Sequence, residues 1–276
     1  MEYRYTDERG KHLHSFNGKP LIGCTQVTGV VNKVLTWWAS GMALSEIGWK
    51  PLNRDEDGNE LSDPTALANR KEECIRYARE CYELVKQLSF DEYFALLQKC
   101  YRAHSVRLKK AGKKGTDAHE LCEIWIKSVI AGREVTPDPQ IEKFAMWCRK
   151  NVRRFLYSEV YMFSQKMWTG GISDFGYEDM NGNYGVADIK NRNKFYPTDL
   201  FQCGGYDEML TENMAGFNAS GERVFELDKP FKFHAGFPLV NFTEPTISFN
   251  VHENRETFKH LLAVYKAIQF LEEGKQ

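Results

Sequence analysis

The sequence predicts an α/β protein, helical through its first half, with a sheet entering near residue 157. Three observations predict it. Apolar residues recur at three- and four-residue intervals over much of 25–156, the spacing of one helix face. At Tyr157 the period changes: "LYSEVYMFS" alternates, as a half-buried strand does. Helical spacing returns over 197–213 and again at the carboxyl end.

The elements follow in order. Residues 1–24 are polar, with Gly10, Gly18 and Pro20, and predict a short hairpin or arm. A helix over 25–48 has Val27, Val30, Val31 and Val34 in phase and Thr25 as its cap. Residues 50–64 read as a polar loop. Two helices follow, 64–87 with Ala78, Cys81, Tyr82 and Val85 on its packing face, and 90–110 with Phe94, Leu97, Tyr101 and His104. A helix over 115–132 opens on a box at Asp117 and Glu120 and closes at Gly132. Another over 138–156 aligns Ile141, Phe144, Ala145, Cys148, Val152 and Phe155. "GGISDFGYEDM" and "YGVADIKN" predict a hairpin around Asn181-Gly182, a pair suited to a type I′ turn. Further strands are expected in "GFNASGERVFELD" and "FPLVNFTEPTISFNV". The chain reads as one domain, with 1–112 mainly helical and 113–276 carrying the chemistry.

With 276 residues and 42% apolar content the chain can bury a sizeable core. A net charge of −1 names no partner, so a nucleic-acid site must come from local charge. The seven cysteines are odd in number and lack CxxC spacing, which fits small apolar residues in a reducing compartment. "MEYRYTDERGKH" is too polar for a secretory signal, and no apolar run reaches the length of a membrane span. The expectation is a soluble, cytoplasmic protein without a membrane partner.

Chemistry concentrates around "GVADIKN". Asp188 and Lys190 are two apart on a strand, hence on one face. Asp174 ends "GGISD" on the other arm of the hairpin, Glu159 lies in the preceding strand, and His119 opens a helix after Gly-Thr. Gln202 and Tyr206 are four apart on the helix after Lys190, again on one face. Carboxylates suit Mg²⁺ or Mn²⁺, with an imidazole as a tolerated addition. A cation would also relieve the repulsion of a buried acidic cluster. A lysine beside it can stabilise negative charge growing on phosphorus.

The order His119, Glu159, Gly171-x-x-Asp174, Asp188-x-Lys190, Gln202-x-x-x-Tyr206 resembles the RecB-like branch of the PD-(D/E)xK nucleases, over about 115–210. The opening "TQVTGVVNKVL" with "WWASGMAL" is similar to the amino-terminal segment of phage and organellar members. The resemblance implies a restriction-endonuclease-like core: a central mixed sheet flanked by helices, with a helical amino-terminal part roofing the DNA path. It implies metal-binding carboxylates at Asp174 and Asp188, the Ile189 carbonyl and His119 as further ligands, and Lys190 as the catalytic lysine. Glu159 would support the site through water or a second metal, and Gln202 and Tyr206 would brace the lysine and the DNA backbone. Ser173 stands where the family name has proline. No cysteine follows Cys203, so no iron–sulfur cluster is expected. The implied activity is Mg²⁺-dependent DNA hydrolysis, favouring an exonuclease on single strands or ends. The rivals are a structure-specific endonuclease and a binding module with a degenerate site.

Plainer readings stand beside these. His119 could be a helix-start histidine bonded to a carbonyl, Glu159 an exposed strand residue, and Gln202 and Tyr206 ordinary packing. Trp37, Trp38, Trp125 and Trp147 read as core, with Trp37 or Trp38 able to stack a base. Residues 99–116 carry seven Lys or Arg, among them Lys109, Lys110, Lys113 and Lys114, and no acid. Lys143, Arg149, Lys150, Arg153 and Arg154 form a second basic stretch. Such runs are usually solvated faces; beside a candidate metal site they suit a path for DNA phosphates.

Overall fold

The computed structural model describes residues 2–8, 11–31, 36–54 and 60–273. They fall into two compact units, one of 33–113 and one joining 1–32 to 114–276. The strands are β1 (Tyr3–Glu8), β2 (Lys11–Phe16), β3 (Lys19–Pro20), β4 (Ile22–Gly23), β5 (Val152–Ser164), β6 (Thr169–Asp179), β7 (Tyr184–Lys190), β8 (Ala215–Phe217), β9 (Arg223–Glu226), β10 (Phe231–Pro238) and β11 (Thr246–Ser248). The α-helices are α1 (Cys24–Thr28), α2 (Thr36–Ser45), α3 (Pro64–Val85), α4 (Phe90–Ile130), α5 (Glu142–Asn151), α6 (Pro197–Asn213) and α7 (Val251–Glu273). No helix among the described residues is long and apolar enough to cross a membrane.

The larger unit is mixed α/β, built on an eight-stranded sheet ordered β11-β10-β7-β6-β5-β8-β9, with β4 beside β6. β5, β6 and β7 are antiparallel neighbours, whereas β10 joins β7 in parallel after the crossover through α6. Helices flank both faces, and the alternation of β7 assigns its side chains to them. Tyr184 and Val186 pack with Cys203, Tyr206 and Leu210 of α6 and Phe258 of α7. Ala187 and Ile189 pack on the other side with Trp125 of α4 and Phe144 and Cys148 of α5. The β1–β2 hairpin contributes Tyr3 and Phe16 to a third cluster with Phe163 and Phe217.

Several expectations need correction. α4 is one helix of 41 residues, so Asp117 and Glu120 open nothing and His119 lies well inside it. Its far end does close as expected. Arg133 N–H bonds to Ser128 O at 2.9 Å and Gly132 N–H to Val129 O at 3.0 Å, the double bond pattern of a Schellman turn. Gly132 takes φ +67°, which a side chain would strain. α5 ends at Asn151, and Val152 and Phe155 already belong to β5. The β6–β7 turn is not type I′: Asn181 keeps a negative φ, and only Gly182 is left-handed, at +85°. The Asp179 carboxylate imposes this shape by accepting from the N–H groups of Asn181 and Asn183 at 2.9 and 2.8 Å. The strand expected at "FPLVNFT" lies earlier, as β10.

The packing faces of α3 and α4 also differ from expectation. Cys74, Tyr77 and Cys81 turn inward on α3 while Tyr82 is exposed. On α4 Leu96, Cys100 and Ala103 turn inward, and Phe94, Leu97 and Tyr101 are exposed. Both sides of α4 carry apolar residues at helical spacing, so periodicity alone offers two candidate faces. Trp125 is buried and Trp147 half-buried, as expected of core residues; the side chains of Trp37 and Trp38 lie outside the described residues.

Candidate active site

The site grows from an opening in the sheet. β5 runs along one edge of β6. On the other edge β4 pairs with Thr169 and Gly170, and β7 with 175–178. Among the described residues no strand pairs with 171–174 on that edge. In place of a ladder bond, Ile189 N–H donates to Asp174 Oδ2 at 2.6 Å. In an extended strand a residue's N–H and C=O point the same way, so the Ile189 carbonyl opens on this side too. Gly171 leaves room here: a Cβ would stand 3.0 Å from the Tyr206 ring and 3.3 Å from Cys24 Cβ, close enough to press on both.

The opening is a cleft of about 420 Å³ whose lining includes His119, Glu159, Asp174, Asp188, Lys190, Gln202 and Tyr206. Five separate motifs thus meet in one cavity. Lys190 Nζ lies 2.9 Å from Asp188 Oδ1 and 2.7 Å from Oδ2. His119 Nδ1 faces Asp174 Oδ1 at 3.7 Å rather than a backbone carbonyl. The Gln202 amide donates to the Tyr206 hydroxyl across one turn of α6. Pro197 at the first turn and Asp199, which accepts from Tyr196 N–H at 2.8 Å, set the start of that helix.

Burial dominates the electrostatics of Asp188, which is only 1% exposed. It lifts the carboxyl to about 6, with Lys190 holding it down. Burial works against the Lys190 ammonium, but Asp188 and Asp174 outweigh it and raise Lys190 above the usual lysine range. Lys190 is therefore a fixed cation, not a base. Asp174 also resists burial: His119, Lys190 and the Ile189 N–H together hold it below the ordinary carboxylate value. Asp174 in turn raises His119 against its own burial.

Glu159 adopts a left-handed φ of +50°. The register sets it opposite Asp174, between the Ser158–Phe175 and Val160–Ser173 pairs. A non-glycine residue held this way is strained, although the β5–β6 register runs through it unbroken. The register shifts earlier, between Phe155 and Tyr157, and Tyr157 and Val160, three apart, pack in the same core. Burial, then a hydrogen bond with Glu123, push Glu159 up to about 7. Glu123 moves the other way, lowered by Glu159 and Lys127 despite burial. Glu123 lies four residues after His119 on α4, on the same helix face, a spacing legible in the sequence.

Cys24, Gln26, His12 and His14 also line the cleft. They arrive through the β4–β6 pairing, which carries no local signal. The Tyr3 hydroxyl, kept protonated by burial, shares a hydrogen bond with His14 Nδ1 at 2.7 Å. Burial, then His12, push His14 down to about 4 from an ordinary 6.5. The unfolded chain then binds more protons between those values, so stability present at neutral pH is lost as pH falls from 6.5 towards 4. The loss is on the order of 3 kcal/mol. Urea melts at several pH values should give a smaller acid loss in His14→Gln than in wild type; equal losses would assign the effect elsewhere.

Of the basic residues, Arg149, Arg153 and Arg154 border a separate cavity. The side chains of Lys109, Lys110, Lys113 and Lys114 lie outside the described residues.

The donor set fits a hard divalent cation in kind: two carboxylates, an imidazole and a backbone carbonyl. Asp188 Oδ2 is buried with no aligned hydrogen-bond donor among the described residues. Among those residues no three His, Cys, Asp or Glu are grouped so as to hold a metal ion as they stand; Asp188 is engaged by Lys190. No family model matches the chain, and no curated protein matches it.

Proposed function

We propose that this cleft hydrolyses phosphodiester bonds of DNA with a divalent cation, Mg²⁺ or Mn²⁺, held by Asp174, Asp188, His119 and the Ile189 carbonyl. One observation carries the reading: at an open sheet edge a buried Asp188 lines one cleft with Asp174, and the Lys190 ammonium lies against both of its oxygens. The cation would polarise a phosphoryl oxygen and acidify water. Lys190 supplies a second positive charge toward the oxygens of the reacting phosphate. Asp174 orients His119, and the Gln202–Tyr206 pair walls the cleft next to Gly171. The strand order supports a restriction-endonuclease-like core, since the central mixed sheet carries the acids and helices flank it.

An exonuclease on single strands or ends is the favoured mode, resting on the motif order. Linear and circular single-stranded DNA, each incubated with Mg²⁺, test it. The linear strand should be degraded and the circle spared. Cutting of the circle would make the protein an endonuclease, and two intact substrates would make it a binding module.

A further inference from the structure

Residues 152–155, at the start of β5, border a second cavity. Its volume is about 390 Å³. Arg133, Arg149, Arg153 and Arg154 border it, with Glu134 as its acidic lining residue. Glu178 engages Arg154 at 2.6 Å and reaches Arg153 at 3.5 Å. Among the described residues Arg133 and Arg149 make no ion pair. Arg133 is fixed by the Schellman turn ending α4, and Arg149 lies in the last turn of α5. Trp125 forms part of the wall. It is 3% exposed, and its Nε1–H is buried without a partner. The Arg149 guanidinium stands 6.0 Å from its ring centre.

A buried N–H left unpaired is costly, and Trp125, which carries one, helps wall a cavity bordered by guanidinium donors. A ligand rich in acceptors would suit such a set. Two guanidinium forks without acidic partners match the charge and the oxygen geometry of a phosphate group. A purely structural role exists too, since cations complement the carboxyl ends of α4 and α5. That role uses the charge of the arginines but leaves the Trp125 donor unexplained.

We propose that this cavity is a phosphate-binding subsite, formed by Arg133, Arg149 and the Trp125 indole N–H and separate from the cleft. Its ligand is a phosphate group, carried by a nucleic-acid strand or by a free nucleotide. Binding there does not depend on hydrolysis in the cleft. It can therefore be tested with chelator present, where failure of the nuclease reading leaves the outcome untouched.

The test follows the Trp125 indole N–H signal by NMR, assigned with Trp125→Phe, in EDTA. Inorganic phosphate, thymidine 5′-monophosphate and a hydroxyl-ended oligothymidylate are titrated separately. The indole signal should shift on binding. A shift with the oligonucleotide identifies backbone phosphates as the source; shifts with the first two alone identify a terminal or free phosphate. Arg133→Gln with Arg149→Gln should weaken binding by about tenfold or more, as loss of charge-assisted hydrogen bonds does. If that double variant does not fold, Arg133→Lys and Arg149→Lys serve, each expected to weaken binding without lowering the melting temperature. An indole signal that none of the three probes moves overturns the proposal. So does a variant of lower melting temperature that binds as wild type does, since the arginines would then only cap helices.

Discussion

Asp188→Asn is expected to end Mg²⁺-dependent cleavage of single-stranded DNA while leaving the chain folded. Asparagine keeps the shape of the side chain but not its charge. The proposed cation loses its most buried carboxylate, and the charge stabilisation at stake is several kcal/mol, or a fall of about 10³ or more in turnover. Exhaustive chelation of the wild type should have the same effect, with Mg²⁺ or Mn²⁺ restoring activity. Ca²⁺ should bind without turnover, because its looser coordination positions water poorly. The pH profile adds an independent check. With the Asp188 carboxyl at about 6, activity at limiting Mg²⁺ should decline as pH drops through that value. Saturating Mg²⁺ should move the decline to lower pH, since cation and proton compete for the same oxygens. Wild-type turnover in Asp188→Asn, or full activity in chelator, would remove the cleft from consideration as a metal-dependent active site.

The second large effect belongs to Lys190→Ala. Removing a preorganised donor of positive charge costs about 10²–10³ in turnover. Cation binding should respond differently. Lys190 lies against both Asp188 oxygens, at 2.9 and 2.7 Å, so its removal takes a competing charge out of the site. Mn²⁺ should then bind at least as tightly as in wild type. Lys190 also holds the Asp188 carboxyl down against burial. Without it the acid limb of the residual activity should move to higher pH. Near-wild-type turnover would reduce Lys190 to a partner that only neutralises Asp188. Reduced turnover with Mn²⁺ affinity lost in parallel would point to a collapsed site. Lys190→Arg is not expected to rescue fully, since a planar fork replaces a compact ammonium in a tight cleft.

The chain alone made legible whatever depends on short-range periodicity. Alternation along "GVADIKN" put Asp188 and Lys190 on one face, and they are in contact. Four-residue spacing paired Gln202 with Tyr206, and they bond to each other within a helix whose ends, 197 and 213, were also readable. Gly132 announced the end of α4 because that turn requires a left-handed residue.

Tertiary structure decided what lies between elements. Periodicity states which residues share a face but not which face finds a partner, so the exposed stripe of Phe94, Leu97 and Tyr101 resembled a core face. The box at Asp117 and Glu120 was a plausible helix start, yet the backbone runs helically straight through it. The two-residue pairing of β4 with β6 delivers Cys24 and His14 to the cleft from far along the chain, and nothing local encodes it. The left-handed kink at Glu159 is likewise invisible in sequence. A strained φ persists only where surrounding packing over-determines it, and here that packing is the ladder with β6 on both sides of the kink.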